Sequence, residues 1–265
     1  MAWIIADAHV HLFPGQELGA VAGAAMKNFR AQEKAQGWTG EVVRYLCLAE
    51  TAGHDFFGQH MLEVKQAPKA GKQLLLRTSE ENSLRLNNPL EPPLFFIAGR
   101  QIVSSEGLEI LALGLREPYQ DHRPIERVVT DLMSKDVILV LPWGVGKWLG
   151  KRGRVVQELM ARYGGQTLFL GDNGNRPAFW PLPPIFGEWG SRRNLPGTDP
   201  LQLRGQEHRA GSFGLYTQGN MDYGRPYFSL LTLLTSEHAR LHPYGPPQKV
   251  IPFFHSQFAL RWKRS

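Results

Sequence analysis

"WIIADAHVHLFPG", residues 3–15, begins with a short apolar run and then carries Asp7, His9 and His11 at alternate positions. Side chains at positions i, i+2 and i+4 of a β-strand share one face, so the pattern predicts a strand with all three polar groups on the same side. Two imidazoles on one face suit a divalent ion, and a nearby carboxylate can orient one of them. The stretch predicts a metal site with His9 and His11 as ligands and Asp7 behind them.

The same spacing has a plainer interpretation, because the chain contains nine histidines and such pairs also arise by chance. Two solvated imidazoles at the end of a surface strand would then need no metal. The context favours the metal interpretation: an apolar run precedes the histidines, and Pro14 and Gly15, which are typical of a turn, follow them.

Composition limits the class of protein. The 265 residues are 42% hydrophobic and 20% charged, with a formal net charge of +6, as in an ordinary globular protein. A single cysteine, Cys47, gives no internal disulfide and favours a cytoplasmic location. The sequence contains no run of about 18 apolar residues, so it predicts no membrane span. Nucleic-acid binding is disfavoured because the basic residues are scattered rather than gathered on one face.

Apolar runs that alternate with helix-like segments predict an α/β fold. The runs are 3–10, 42–49, 73–79, 94–99, 108–115, 136–142 and 167–172, with a weaker one at 194–201. Segments 18–36, 125–135 and 154–163 have helical apolar spacing. Seven or eight strands in about 200 residues favour a compact, distorted (β/α)7–8 barrel of the TIM type. We expect the barrel over residues 1–215 and a C-terminal helical extension over 216–265, with a helix at 225–241.

Four segments resemble metal-dependent hydrolases. "DAHVHLFPG" (7–15) resembles the first-strand metal motif of amidohydrolase-type barrels and of the polymerase-and-histidinol-phosphatase (PHP) family. "FFIAGRQIVSSEGLEILALGL" (95–115) resembles the central PHP segment, "DVILVLPWG" (136–144) lies where that family carries a His-Pro pair, and "LFLGDNGNRP" (168–177) lies where both families place a late-strand Asp. The resemblance covers about residues 3–200 and implies a divergent member of this superfamily.

The chain departs from the PHP pattern at three positions. Gln101 stands where the family has an acidic ligand, Leu141 where it has the His before Pro142, and Asn175 near the position of a late His. These departures imply a mononuclear site rather than one that holds three ions.

Two late carboxylates compete to complete the site. Asp172 follows the strong strand "TLFLG", whereas Asp199, in "GTDPL", resembles the barrel-end Asp of amidohydrolases but follows a weaker run that contains a proline. The resemblance implies Asp172 and Asp199 as candidate metal ligands, and we favour Asp172, which would act as general base if it is not a ligand. Glu50, just past the second predicted strand, is a second candidate base; its alternative role is structural, near the start of a helix.

The stretch "WGVGKWLGKRG" (143–153) combines four glycines with Lys147, Lys151 and Arg152 between a strand and a helix. Backbone amides and cations in such a loop suit a phosphate or carboxylate, although a basic surface loop would look the same.

The leading hypothesis is a metal-dependent hydrolase that acts on a small anionic substrate, with a phosphoester favoured over an amide. One divalent ion (Zn, Mn or Fe) would activate a water molecule. The alternative is a catalytically degenerate barrel that serves as a binding or regulatory protein, suggested by the missing PHP-type ligands. Exposed Pro- and Trp-rich loops leave a homo-oligomer open.

Overall fold

Two β-sheets form the centre of the molecule in the computed structural model, which describes residues 1–66, 74–203, 205–250 and 253–254. Their strands are β1 (Ala2–Val10), β2 (Val42–Leu48), β3 (Leu75–Arg77), β4 (Ser83–Leu86), β5 (Leu94–Ile97), β6 (Gly99–Val103), β7 (Glu109–Leu113), β8 (Ile138–Trp143), β9 (Leu168–Asp172), β10 (Gly214–Gly219) and β11 (His242–Tyr244). The first sheet has seven strands in the order β11-β10-β1-β2-β5-β4-β3, and the second has four in the order β6-β7-β8-β9.

The predicted TIM-type barrel is wrong. Such a barrel requires parallel strands throughout, whereas β1 pairs antiparallel with β10, β4 with β5, and β7 with both β6 and β8. The connections explain the difference: only residues 104–108 separate β6 from β7, which is far too short for a parallel crossover. Among the strands of the described residues, β1–β2–β5 and β8–β9 pair in parallel.

The structure describes six α-helices, of which the first five cover the outer faces of the two sheets. They are α1 (Leu18–Gln36), α2 (Phe56–Gln66), α3 (Ile125–Met133), α4 (Lys151–Tyr163), α5 (Ile185–Trp189) and α6 (Pro226–Thr235). α1 and α2 share an apolar cluster with the seven-stranded sheet, and α3, α4 and α5 share one with the four-stranded sheet. α3 shows why: its buried residues Ile125, Val128, Val129 and Leu132 recur at helical spacing and form one apolar stripe.

A third apolar cluster fills the space between the two sheets. It contains inward residues of β1, β2 and β5 from one sheet and of β7, β8 and β9 from the other, together with Tyr227, Leu230 and Leu234 of α6. The Tyr227 hydroxyl donates to the carbonyl oxygens of Leu113 and Asp136, each at 2.8 Å. α6 is thus part of the central core.

The sheets are joined at two places by backbone hydrogen bonds. At one, the Glu50 nitrogen donates to the Gly99 oxygen (3.0 Å) and the Gln101 nitrogen to the Glu50 oxygen (2.9 Å), which connects the end of β2 to β6. At the other, segment 194–199 lies between β9 and β1 and bonds to both. We call this second junction the seam.

Most of the predicted apolar runs correspond to strands, and segment 18–36 coincides with α1. The run at 194–201 forms the seam rather than a regular strand. Run 73–79 overlaps β3, although residue 73 lies outside the described residues.

The predicted helix at 225–241 ends at Thr235, and the predicted domain boundary after residue 215 falls inside β10. Of the predicted C-terminal extension, residues 251–252 and 255–265 lie outside the described part of the chain. In the described part, no helix is both long enough and apolar enough to cross a bilayer.

Candidate metal centre

Three buried side chains converge at the carboxyl end of β1. The Nε2 atoms of His9 and His11 lie 3.0 Å apart, and the Asp199 Oδ1 atom lies 3.6 Å from the first and 3.3 Å from the second. One ligand atom from each residue lies within 4.8 Å of the others, so this group could hold a metal ion. His9 lies near the end of β1 and His11 follows the strand, and the two imidazoles lie on one side, as the sequence predicted.

The seam brings Asp199 to the histidines from about 190 residues away in the sequence. The Ala8 nitrogen donates to the Pro196 oxygen (3.2 Å), and the Asp199 nitrogen donates to the His9 oxygen (2.8 Å). Asp199 has a φ of 43°, in the left-handed region that non-glycine residues seldom adopt. Backbone pairing with β1 therefore holds this carboxylate in an otherwise unfavourable conformation beside the imidazoles.

Two asparagines after β9 fix the orientation of Asp199. The Asn173 Nδ2 atom donates to Asp199 Oδ2 (2.8 Å), which leaves Oδ1 facing the histidines. The Asn175 Nδ2 atom donates to the backbone oxygen of Asp199 (2.9 Å). A carboxylate held in this way needs little rearrangement to coordinate an ion.

Asp7 supports the centre through the backbone. Its Oδ1 accepts hydrogen bonds from the nitrogens of His9 (3.2 Å) and Thr198 (2.8 Å), and its Oδ2 accepts from Thr198 Oγ1 (2.6 Å) and the Gly211 nitrogen (2.9 Å). The sequence predicted a group that orients an imidazole. The structure instead shows a buried carboxylate that ties the Asp199 segment and residue 211 to β1.

Burial and neighbouring charge set the protonation of the centre. Burial lowers the pKa of His9 to about 3, so its imidazole is neutral and can bind a metal at neutral pH. Burial also raises the pKa of Asp7 to about 6, against the lowering effect of its hydrogen bonds. Burial alone would raise the pKa of Asp199, but His9, His11 and Lys147 outweigh it and hold this pKa well below the ordinary range.

The centre opens into a cavity of about 440 Å³. His11, Gln101, Lys147 and Asp199 supply polar lining, while Phe13, Val145 and Leu201 supply apolar lining. The Gln101 side chain faces the His9 imidazole, and its buried Oε1 atom makes no hydrogen bond among the described residues. The Lys147 ammonium group forms an ion pair with Glu109, which also lines the cavity.

Two other carboxylates proposed from the sequence lie in structural ion pairs. Asp172 is buried, but its Oδ1 accepts from the Gly174 nitrogen (3.0 Å) and its Oδ2 from Arg176 (3.0 Å); it is not part of the histidine cluster. Glu50 accepts hydrogen bonds from the Phe57 nitrogen (2.8 Å) and Arg100 (3.0 Å) and does not line the cavity. The sequence-based preference for Asp172 over Asp199 is therefore not what the structure shows.

The three predicted anion-binding cations separate in the structure. Lys147 lines the cavity. Lys151 is exposed at the first residue of α4, and Arg152 donates to the Gly146 oxygen (3.2 Å) on the protein surface; neither lines the cavity.

Four residues at the centre were not singled out as site residues from the sequence: Gln101, Glu109, Asn173 and Asn175. A usable signal existed for the asparagines, because "DNGN" (172–175) directly follows a strong strand. Gln101 was noted from the sequence only as a departure from the PHP pattern, and Glu109 was not noted; the β6–β7 hairpin and the cavity show the place of both.

No family model and no curated protein matches the chain. Among solved structures, the chain is similar to the crystal structure of PsfC from Pseudomonas syringae PB-5123, with a TM-score of 0.56 and 15% sequence identity. The match covers 98% of this chain and 100% of that chain. At this identity the similarity concerns the fold alone.

Proposed function

We propose that this protein is a metal-dependent hydrolase of a small anionic substrate, with a phosphoester favoured over an amide. The observation that carries the proposal is the buried His9–His11–Asp199 group, which opens into a cavity that also contains the Lys147 ammonium group. Two imidazoles and one carboxylate with open coordination positions form a donor set found in catalytic metal sites.

The residues present fit a divalent ion. His9 is neutral, Asp199 is ionised, and the lone pairs of the Gln101 oxygen are unused within the described residues. A mixed nitrogen and oxygen set suits Zn, Mn or Fe. When bound, such an ion supplies a water molecule of lowered pKa and polarises the bond to be broken.

The protein groups then have separate tasks. His9, His11 and Asp199 hold the ion, and Asn173 keeps the Asp199 carboxylate turned toward it. Lys147 binds the anionic part of the substrate. The substrate enters through the open side of the cavity, where Phe13 and Leu201 contact its less polar part.

A second candidate function is binding or regulation without catalysis. It is favoured by the positions of Asp172 and Glu50, because both carboxylates considered as general bases are paired with arginines outside the cavity. A cytoplasmic location remains part of either proposal, resting on the single cysteine of the sequence.

Metal content of the full chain, purified without chelator or histidine tag, tests the proposal. We expect near-stoichiometric Zn, Mn or Fe in the wild type and loss of the ion in a His9→Ala/His11→Ala variant. In a screen of both substrate classes, the wild type should also hydrolyse phosphoesters in preference to amides. A folded wild type that takes up none of the three metals would refute the hydrolase, whereas metal retention without turnover would favour the binding protein.

A further inference from the structure

The Lys147–Glu109 ion pair controls the charge of the cavity. Glu109 is the first residue of β7 and Lys147 lies in the turn after β8, so the two side chains meet across neighbouring strands. Burial disfavours the charged form of Lys147, but Glu109 and Asp199 outweigh it and raise its pKa. Lys147 is therefore a cation whose charge Glu109 already balances.

Two further arginines, Arg176 and Arg209, lie near the centre but do not line the cavity. Arg176 forms an ion pair with Asp172 (3.0 Å). Arg209 donates to the Asn175 side chain and interacts electrostatically with Asp199 and Asp7. Among the described side chains that do line the cavity, Lys147 carries a positive charge and Glu109 and Asp199 carry negative charges, while the imidazoles count as neutral because metal-bound histidine is neutral. One negative charge is in excess, and a divalent ion would turn it into a single positive charge.

From this balance we propose that the cavity is matched to a singly charged phosphodiester rather than a doubly charged phosphomonoester, and that Glu109 sets this preference. The inference rests on the proposed metal-dependent hydrolase function. A phosphodiester carries one negative charge at neutral pH and matches the single positive charge of the loaded site. A monoester carries between one and a half and two, and its second charge would face the Glu109 carboxylate.

The apolar part of the cavity supports the same substrate class. Phe13, Val145 and Leu201 line the cavity that also holds His11 and Asp199, and the Phe13 ring stacks on the His11 ring with centroids 5.7 Å apart. A phosphodiester has two ester groups, so one can lie against this apolar wall while the other leaves. A monoester would instead present charged, hydrated oxygens on that side, which costs desolvation energy.

The test compares two simple anions on the metal-loaded full chain at pH 8, by calorimetry. Diethyl phosphate is the singly charged probe and ethyl phosphate the doubly charged one. We expect the wild type to bind diethyl phosphate about tenfold more tightly, and Glu109→Gln to shift the ratio of affinities about tenfold toward ethyl phosphate, the scale of one added unit charge in a partly solvated site.

Two variants control the test. Glu17→Gln removes an exposed carboxylate that lies outside the cavity and should leave the ratio unchanged. Lys147→Met should abolish the binding of both anions, so the idea stays testable even where Glu109→Gln fails to fold. Tighter binding of ethyl phosphate by the wild type, no measurable binding of diethyl phosphate, or an unchanged ratio in Glu109→Gln would overturn the inference.

Hydrolysis assays with bis(4-nitrophenyl) phosphate and 4-nitrophenyl phosphate separate this inference from the function beneath it. Faster turnover of the monoester would refute the diester preference and leave the hydrolase standing. A tenfold binding preference without turnover of either ester would refute the hydrolase and leave the charge matching intact. Failure to bind any of the three metals would refute both.

Discussion

Gly197 lies directly against the backbone of His9: a Cβ atom at this glycine would be 2.6 Å from the His9 Cβ and would overlap the His9 nitrogen. The contact exists because the seam runs alongside β1, where the Asp199 nitrogen donates a hydrogen bond to the His9 oxygen. A side chain at position 197 would push the seam away from β1 and would move the Asp199 carboxylate away from both imidazoles.

We therefore expect Gly197→Ala to lower the free energy of unfolding by about 1–3 kcal/mol, as overpacking does, and to weaken metal binding at least about tenfold. Urea unfolding and calorimetric metal titration measure the two effects. Gly23→Ala, at an exposed position of α1 with open space around it, is the control and should gain up to about 1 kcal/mol. Unchanged metal affinity in Gly197→Ala would show that the seam does not position Asp199.

Asp199 and Asp172 can be told apart by replacing each with asparagine. Asp199→Asn removes a charged donor that faces both imidazoles and should lower metal affinity by about 100-fold or more, since even the loss of a supporting group costs about 10–100-fold. Asp172→Asn breaks an ion pair with Arg176 outside the cluster and should change metal affinity little. Equilibrium dialysis measures both affinities. An equal loss of metal affinity in the two variants would show that Asp172 is also a metal ligand.

Asp7 should contribute both to stability and to metal binding. Asp7→Ala leaves the Thr198 and Gly211 nitrogens and the Thr198 hydroxyl without their buried acceptor; at about 1–3 kcal/mol for each unsatisfied group, the loss should reach about 3 kcal/mol or more. Thr198→Val removes only one of these hydrogen bonds and should cost about 1 kcal/mol. Chemical denaturation with fluorescence detection checks this order, which would be contradicted by equal losses in the two variants.

The fold should lose stability in alkali. Burial raises the pKa of Tyr45, Tyr227 and Tyr244 above the ordinary value of 10. Above that pH the unfolded chain releases these protons while the folded chain keeps them, so stability falls as the pH rises. Phenolate absorbance at 295 nm should show at least three of the seven tyrosines ionising only as the protein unfolds. Ionisation of all seven with the circular dichroism unchanged would contradict this.

The Cys47 thiol should react with a thiol reagent only when the protein unfolds. The thiol is buried among the residues of the central core, and burial raises its pKa, as the nearby Asp7 charge also does. Because the thiolate is the reactive form, a thiol reagent at pH 8 should label the folded protein only at the rate of its unfolding. Labelling that is fast and independent of urea would show that the core around Cys47 opens locally.

The parts of this molecule that sequence reasoning located are those determined by local pattern. The alternation of Asp7, His9 and His11 was enough to predict a strand with both imidazoles on one face, and α1 follows from its own apolar spacing. The barrel was wrong because strand direction depends on connection length and partner choice, and the apolar runs of β5, β6 and β7 look the same in a parallel or an antiparallel sheet.

The structure brings Asp199 rather than Asp172 to the histidines for a related reason. Asp172 follows the better strand, but its oxygens bind Gly174 and Arg176, only two and four residues away. Asp199 follows a proline-containing run whose hydrogen bonds are made with β1 and β9. Similarly, Gln101 and Glu109 share a face only because the register of the β6–β7 hairpin pairs Gln101 with Leu111 and Val103 with Glu109. The long-range pairing of the Asp199 segment and the register of this hairpin could not be read from the apolar pattern of the sequence.

The long separation between Asp199 and the two histidines also has a kinetic consequence. A loop of about 190 residues must close before the third ligand meets the first two, and closing a long loop costs chain entropy before any contact compensates for it. The ion would therefore be captured late, by a chain whose two sheets have already met along the seam. Once bound, the ion would link β1 to the seam. It would therefore slow unfolding, in which the two separate, more than it would speed folding, in which they meet.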